Sequence, residues 1–302
     1  HNLCPLRGAK TRDALAWSKY LDEALESFVP QADVLVVQHH WPVWNSAAQP
    51  RRIAEYVAGQ RDLYRYLHDQ TLRLMSHGLT PTEIAAELML PNALSSQWFA
   101  RGYYGAVTHN VHAIYAHYLG PYEGNPAQLD RLPPVDAARK YVQYMGGADA
   151  VLARAKADFE AGEFRWVADV LNQVVFAEPG NTDARTLCAD AMEQLGYQAE
   201  SATWRNAYLL GAMELRASGS DAGKPANLPI SPDVLAILPL DSFLDYLAIR
   251  LNGPRAQHLR TRIDWLLEDP VAPQAQRITL SHGALIHRAG RHVQPADLVI
   301  RT

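Results

Sequence analysis

Residues 33–45 read Asp-Val-Leu-Val-Val-Gln-His-His-Trp-Pro-Val-Trp-Asn, and this stretch carries more information than any other in the chain. The run at 33–37 is short, apolar and rich in β-branched residues, which is typical of a buried strand. His39 and His40 follow it, and Pro42 predicts a turn because it can continue neither a strand ladder nor a helix. Imidazoles at the exit of a strand are well placed to bind a metal ion or to move a proton.

The residues before this stretch predict an amphipathic helix and, just ahead of it, an arginine suited to bind an anion. From Thr11 to Glu26, apolar residues recur near one face of an amphipathic helix. Arg7 precedes that helix and is followed by Gly8, which favours a bend. A guanidinium held over a cleft suits an oxyanion, because its planar fork donates two parallel charge-assisted hydrogen bonds.

Composition narrows the class of protein. The chain has 302 residues, of which 48% are hydrophobic and 20% charged, enough for two or three domains with sizeable cores. The net charge of −4 and the lack of a basic stripe predict no nucleic-acid partner. No apolar run approaches the roughly 20 residues of a membrane helix, so no stable membrane insertion is expected. Two cysteines, Cys4 and Cys188, do not form a disulfide framework.

The chain changes character twice along its length. Residues 1–48 resemble the last helix, strand and loop of an α/β layer, whereas the pattern from Arg51 onward is helical for about 170 residues. Within it, Thr80-Pro81-Thr82-Glu83 predicts a helix start with a capping box. Residues 148–216 predict helical hairpins of the tetratricopeptide type. After a Gly- and Pro-rich linker at 218–229, a helix near 238–252 precedes a hairpin that turns at His282-Gly283.

Several motifs, taken in chain order, resemble those of one family. They are His1-Asn2-Leu3, Leu6-Arg7-Gly8-Ala9-Lys10, the run from Arg12 to Tyr20, His39-His40-Trp41-Pro42-Val43-Trp44, Arg101-Gly102-Tyr103-Tyr104-Gly105, His109-Asn110, Tyr118-Leu119-Gly120 and Gly124-Asn125-Pro126. Together they resemble the alkylsulfatases. These are zinc hydrolases of the metallo-β-lactamase superfamily that remove sulfate from alkyl sulfates such as dodecyl sulfate.

The resemblance implies a mostly α chain with three parts. Residues 1–50 would be the C-terminal remnant of a metallo-β-lactamase-like α/β catalytic domain. Residues 51–220 would form an all-helical dimerisation domain with tetratricopeptide-like hairpins. Residues 228–302 would be a partial α+β domain of the sterol-carrier type. A homodimer through the helical domain follows, and family members are often exported, which favours a periplasmic or secreted protein.

The resemblance also implies a site with two zinc ions and an amphiphilic sulfate ester as substrate. His39 is the predicted metal ligand, and which of His39 and His40 binds the ion stays open. Neighbouring side chains on an extended segment point to opposite faces, so the other histidine would pack or move a proton. His40 is thus a predicted catalytic residue, and His1 is a second, because it follows closely the segment that carries the family's metal-binding glutamates. The predicted sulfate-binding residues are Asn2, Arg7, Tyr103 and Tyr104, whereas His109, His112 and His117 are interpreted as interface or surface residues.

One departure from the family pattern bears on activity. The metal motif His-x-His-x-Asp-His is absent from the sequence. In the family, this motif and two metal-binding glutamates precede the segment that matches His1. We therefore interpret the chain as part of a longer protein, truncated at its N-terminus and also at its C-terminus, and expect it to be inactive alone. The alternative is a homologue without a metal site, acting as a non-enzymatic dimerisation and lipid-binding module.

Overall fold

The structure is a computed structural model that describes residues 1–6, 8–217, 231–267, 274–290 and 294–302. The chain divides into two compact units, His1–Gly223 and Lys224–Thr302. The linker predicted at 218–229 lies outside the described residues.

The first unit is mainly helical, as the sequence predicts. Its helices and strands are α1 (Ala14–Ser27), β1 (Val34–Leu35), β2 (Val43–Trp44), α2 (Arg52–Ser76), α3 (Pro81–Glu87), α4 (Asn92–Ser95), α5 (Val107–Leu119), α6 (Pro134–Tyr144), α7 (Ala148–Glu160), α8 (Phe164–Ala177), α9 (Thr182–Gln198) and α10 (Ala202–Arg216). The predicted capping box is present at the start of α3. Thr80 accepts a hydrogen bond from the Glu83 amide, and the Glu83 carboxylate accepts from the Thr80 amide.

The prediction of a buried strand at 33–37 is wrong. Only Val34–Leu35 is extended in a ladder, and it pairs antiparallel with Val43–Trp44 across the turn that holds the two histidines. Val36 is 74% exposed. A β-branched run has the same composition whether a second layer covers it or not, and in the described residues this one forms a short surface hairpin.

The hairpin and the helices are joined by a common core. Val43 of β2 packs with Ile53 and Val57 of α2, and Leu21 and Leu25 of α1 close this cluster. The predicted regions 1–50 and 51–220 thus share buried side chains within one unit. The origin of residues 1–50 in a catalytic domain stays a prediction.

Two further clusters fill the helical part. One lies between α2, α3 and α5 and includes Leu3 from the N-terminal segment. The other lies within α6 to α9 and includes Val167, Leu171 and Val174 on the inner face of α8. Helices α7 to α10 follow one another over Ala148–Arg216, each packed against the next, which fits the helical hairpins predicted at 148–216. Their likeness to tetratricopeptide units stays a prediction.

Where the structure describes it, the second unit combines three helices with one sheet. Its elements are α11 (Pro232–Ile237), α12 (Leu240–Arg250), α13 (Gly253–Ala256), β3 (Thr261–Leu267), β4 (Gln274–Ser281), β5 (Ala284–Ala289) and β6 (Leu298–Arg301). The strand order is β5-β4-β3-β6, with β6 parallel to β3. His282 and Gly283 both have positive φ, 52° and 74°, which forms the predicted turn between β4 and β5. The likeness to sterol-carrier domains stays a prediction.

Among the helices of the described residues, none combines the length and the apolar character that a span through a bilayer requires.

Candidate functional site

The site is organised by the loop at residues 101–105, called the 101–105 loop below. The carbonyl of Tyr104 accepts hydrogen bonds from Ser201 Oγ at 3.0 Å and Thr203 Oγ1 at 2.8 Å. The carbonyl of Tyr103 accepts from the Ala202 amide at 2.8 Å. Ser201 is the N-cap of α10, so the start of a helix nearly 100 residues away fixes the backbone that carries the two tyrosines.

Gly105 lets the N-terminal segment pass directly against this loop. A Cβ atom at Gly105 would lie 1.8 Å from the His1 carbonyl oxygen and 3.0 Å from the Asn2 Cα. Both neighbours are backbone atoms, which cannot rotate away as a side chain can. The contact therefore places His1 and Asn2 beside the loop that carries Tyr103 and Tyr104.

Asn110 fixes the orientation of the His1 ring. This side chain is fully buried, and its Oδ1 accepts the Leu3 amide at 3.0 Å. Because a backbone N–H can only donate, the Asn110 Nδ2 must face His1 and donate to His1 Nδ1 at 2.6 Å. Neutral His1 then carries its proton on Nε2, which is buried and has no hydrogen-bond partner among the described residues. A buried donor of this kind marks a position where an acceptor is needed.

Asn2 is held mainly through its backbone. Its carbonyl accepts from an Arg12 guanidinium nitrogen at 2.7 Å. Burial raises the pKa of Tyr64, and the nearby Asn2 backbone and Arg12 act in the opposite direction. Tyr64 in turn stacks on Trp17 at a ring-centroid distance of 5.5 Å. The segment is thereby fastened to α1 and α2 before it reaches the 101–105 loop.

His39 is exposed and has an unusual backbone. Its φ of 65° lies in the left-handed region, which few residues other than glycine adopt. The imidazole stacks on the Tyr104 ring, with centroids 4.5 Å apart and an interplanar angle of 13°. Among the described residues, neither ring nitrogen has a hydrogen-bond partner, so the His39 ring keeps a lone pair available for a metal ion.

His40 packs on different neighbours. Its ring lies 4.3 Å from Trp98 and 5.7 Å from Tyr56 between centroids. Its Nδ1 donates to the Trp41 carbonyl at 2.9 Å, which leaves the lone pair of the neutral ring on Nε2. Burial raises the pKa of Tyr56, so this phenol stays neutral beside the imidazole. The side chains of the histidine pair thus have separate environments.

A groove of about 520 Å³ joins the residues of this site. Its lining consists of His39, His40, Trp41, Trp98 and Tyr103. Tyr103 is 51% exposed, and the Arg101 guanidinium lies 5.6 Å from the centre of its ring. Arg101 is also paired with Glu200, which further ties the 101–105 loop to the start of α10.

The structure thus brings most of the predicted site residues together. Three of them, His39, His40 and Tyr103, line one groove, and Tyr104 stacks on the first of these. His1 and Asn2 reach the same loop through Gly105. Arg7 lies outside the described residues.

The described residues offer few side chains that could bind the predicted zinc ions. The described residues contain no group of three or more His, Cys, Asp or Glu side chains placed to hold a metal ion. In the described part of the groove, His39 has neither ring nitrogen hydrogen-bonded and His40 keeps a lone pair on Nε2, so these residues can supply a ligand to a zinc site but do not complete one.

Comparison with known proteins identifies the family. Two family models match the chain: alkyl sulfatase dimerisation over residues 80–218 and alkyl sulfatase C-terminal over residues 229–302. A linear primary-alkylsulfatase of a Pseudomonas species is 47% identical over 302 residues, which is 99% of this chain and 43% of the relative. The chain belongs to the alkylsulfatase family.

Other alkylsulfatases support this assignment. The alkyl/aryl-sulfatase BDS1 of Saccharomyces cerevisiae is 54% identical over 260 residues, covering 85% of this chain and 38% of the relative. The solved structure of the stereoselective inverting sec-alkylsulfatase Pisa1 from Pseudomonas sp. superposes with a TM-score of 0.90 at 45% identity, over 100% of this chain and 46% of that one. This member of the alkylsulfatase family therefore spans less than half the length of these relatives.

Proposed function

We propose that the intact protein hydrolyses alkyl sulfate esters, such as dodecyl sulfate, to an alcohol and sulfate in a zinc-dependent reaction. The observation that carries this proposal is the groove where His39, His40 and Tyr103 meet beside His1 and Asn2. Zinc-dependent hydrolysis of a sulfate ester needs an anion site, a proton donor and a metal ligand, and the histidines and Tyr103 of this groove are residue types suited to these roles.

The roles follow from the contacts. Tyr103 lines the groove, and its hydroxyl would donate to a sulfate oxygen, whereas Arg7 would neutralise the sulfate charge as the family resemblance implies. Asn2 would line the same anion site. His40 would take up a proton from solvent on Nε2 and, as the imidazolium, donate it to the leaving alcohol while its Nδ1 stays bonded to the Trp41 carbonyl. His1, whose Nε2 proton has no partner in the described residues, is the second candidate donor.

His39 would contribute one imidazole nitrogen to a site of two zinc ions. A zinc centre, when bound, lowers the pKa of a water molecule and supplies hydroxide near neutral pH. A catalytic zinc site takes three protein ligands, so one imidazole would hold an ion only weakly. We therefore propose that the 302-residue chain alone binds little zinc and is inactive.

The apolar tail of the substrate would lie on an exposed aromatic surface next to the histidines. A second groove of about 590 Å³ adjoins the first, and both share Trp41 and Trp98. Trp41 is 82% exposed, so a large indole face is free to cover methylene groups. Covering each methylene contributes about 0.8 kcal/mol, which makes the binding of a long tail sensitive to this surface.

The test is a steady-state assay of the intact protein on alkyl sulfates of increasing chain length. Dodecyl sulfate should be hydrolysed with release of sulfate. In Trp41→Ala, kcat/KM for dodecyl sulfate should fall by about tenfold, equivalent to about two uncovered methylenes, and the value for a short-chain ester should change much less.

Tyr20→Ala is the matched control, because Tyr20 is exposed on α1 and lines neither groove. Failure to hydrolyse any alkyl sulfate would contradict the proposed function and favour a non-enzymatic module. Hydrolysis with an unchanged chain-length profile in Trp41→Ala would contradict only the placement of the tail.

We also propose that a second copy of this chain binds on the groove between α6 and α8. This groove of about 700 Å³ lies within the residues matched to the dimerisation family. Its exposed aromatic side chains are Tyr141, Trp166 and Phe176. Two acidic and two basic side chains also line it, namely Asp130, Asp169, Arg131 and Lys140. Such a surface can pair with itself across a two-fold axis, since each charge can meet its opposite.

The prediction is that Trp166→Glu weakens the dimer by at least about 30-fold, because a buried aromatic anchor typically contributes 2 kcal/mol or more. Analytical ultracentrifugation of the intact protein over a concentration series measures this change. Tyr20→Glu, at an exposed position outside the matched residues, should leave the dimer intact. A Trp166→Glu protein with an unchanged dimer dissociation constant would exclude this face.

A further inference from the structure

We propose that Tyr104 is a positioning residue whose aromatic ring, rather than its hydroxyl, sets the orientation of the His39 imidazole. This inference rests on the proposed function in one respect, namely that His39 is a zinc ligand. It separates the two adjacent tyrosines by role: Tyr103 faces the substrate, and Tyr104 acts through His39.

The backbone of His39 shows why its ring needs support. A residue with a Cβ atom at φ 65° occupies a sparsely populated region, and such conformations persist only where the surroundings over-determine them. The His39 side chain is exposed and, among the described residues, has no hydrogen bond that could orient it. Its one aromatic contact in that part of the chain is the Tyr104 ring, 4.5 Å away and nearly parallel.

The Tyr104 ring is itself held firmly. Its carbonyl accepts two side-chain hydrogen bonds from Ser201 and Thr203 at the start of α10. Gly105 next to it presses on the His1 backbone, which prevents the loop from moving in that direction. The stacked Tyr104 ring covers a face of the His39 imidazole. Both ring nitrogens lie on the edge of the imidazole, so an ion can still approach them.

The two tyrosines differ in what they present to the groove. Tyr103 lines the groove with the histidines, whereas Tyr104 does not belong to its lining. The Tyr104 ring is half-buried against His39, and its hydroxyl has no hydrogen-bond partner among the described residues. Tyr104 therefore contacts the site through the face of its aromatic ring, which stacks on His39.

Loss of the stacking contact between Tyr104 and His39 should lower zinc affinity more than it changes the KM for the substrate. Groups that orient a metal-binding histidine typically change metal affinity or activity by 10- to 100-fold when they are removed. Removal of the hydroxyl alone should have little effect, because the ring face stays in place. These expectations differ from those for a sulfate ligand, where loss of the hydroxyl raises KM.

The experiment compares Tyr104→Phe, Tyr104→Leu and Tyr103→Phe with the wild type in the intact protein. Zinc affinity is measured by competition with a chromophoric chelator, and cobalt-substituted protein gives the visible absorption bands that report the ligand geometry. We expect Tyr104→Leu to bind zinc 10- to 100-fold more weakly with altered cobalt bands. Tyr104→Phe should match the wild type in both, and Tyr103→Phe should keep its zinc but show a higher KM for dodecyl sulfate.

Two results would overturn the inference. One is wild-type zinc affinity in Tyr104→Leu, and the other is a raised KM in Tyr104→Phe with unchanged zinc binding, which would assign the hydroxyl to the sulfate. The His39→Ala variant tests the zinc-ligand assignment separately from the role of Tyr104. If that variant keeps its zinc, His39 is not a ligand and the proposed function fails at this point. Should Tyr104→Leu not fold, Thr203→Val loosens the loop and keeps the ring. In that variant, zinc affinity should fall by a few-fold, and an unchanged affinity would equally overturn the inference.

Discussion

In the intact protein, His39→Ala is expected to lower both zinc affinity and the rate of dodecyl sulfate hydrolysis by at least about 100-fold. Removal of an orienting neighbour already costs 10- to 100-fold, and loss of a direct ligand should exceed that. The free imidazole of His39 at the groove, with neither nitrogen bonded in the described residues, is the physical basis. Metal analysis after dialysis and steady-state kinetics measure the two effects separately.

His40→Ala is the matched control, because it removes the neighbouring imidazole of the same motif. Its Nδ1 donates to the Trp41 carbonyl and its ring lies against Trp98, which fixes the ring and leaves Nε2 for the proton transfer proposed above. This variant should lose kcat and retain its zinc. The reverse pattern, with zinc lost in His40→Ala and kept in His39→Ala, would exchange the two roles.

Gly105→Ala is expected to destabilise the first unit by about 3 kcal/mol, at the upper end for overpacking. The added Cβ atom would lie 1.8 Å from the His1 carbonyl oxygen, so either the N-terminal segment or the 101–105 loop must move by more than an ångström. Because the loop carries Tyr103 and Tyr104, a displacement of that size should also reduce kcat/KM by about 100-fold. Urea denaturation and the dodecyl sulfate assay measure these two changes.

Gly180→Ala provides the comparison for that prediction. A Cβ atom at Gly180 would meet nothing within 4 Å, and its backbone is not in the left-handed region. The control should change stability by no more than about 0.5 kcal/mol and leave activity unchanged. A Gly105→Ala protein that behaves like Gly180→Ala would show that the N-terminal segment does not press on the loop in solution.

Local sequence signals predicted the elements that local physics determines. The capping box at Thr80 and Glu83 specifies a helix start through hydrogen bonds three residues apart. The His282-Gly283 turn lies between alternating apolar residues, and positive φ at both positions closes the hairpin. The mainly helical first unit followed from the 3.6-residue period of its apolar residues.

Features that depend on distant residues were not predictable in this way. The run at 33–37 was expected to be buried, but burial depends on which element covers a strand, and a short apolar run does not encode that. In the sequence, Asn110 stands out only as part of the His109-Asn110 motif. Its role in binding both Leu3 and His1 depends on a contact across more than 100 residues. Likewise, no local pattern marks Ser201 and Thr203 as partners of Tyr104.

The most direct test of the central claim is a crystal structure of the intact protein with zinc and sulfate, with the metal located by anomalous scattering. We predict a His39 ring nitrogen about 2.0–2.1 Å from a zinc ion, still stacked on Tyr104. The Tyr103 hydroxyl and the Arg7 guanidinium should lie within about 3 Å of sulfate oxygens. A His39 imidazole outside the metal coordination sphere, with the sulfate bound away from this groove, would contradict the account.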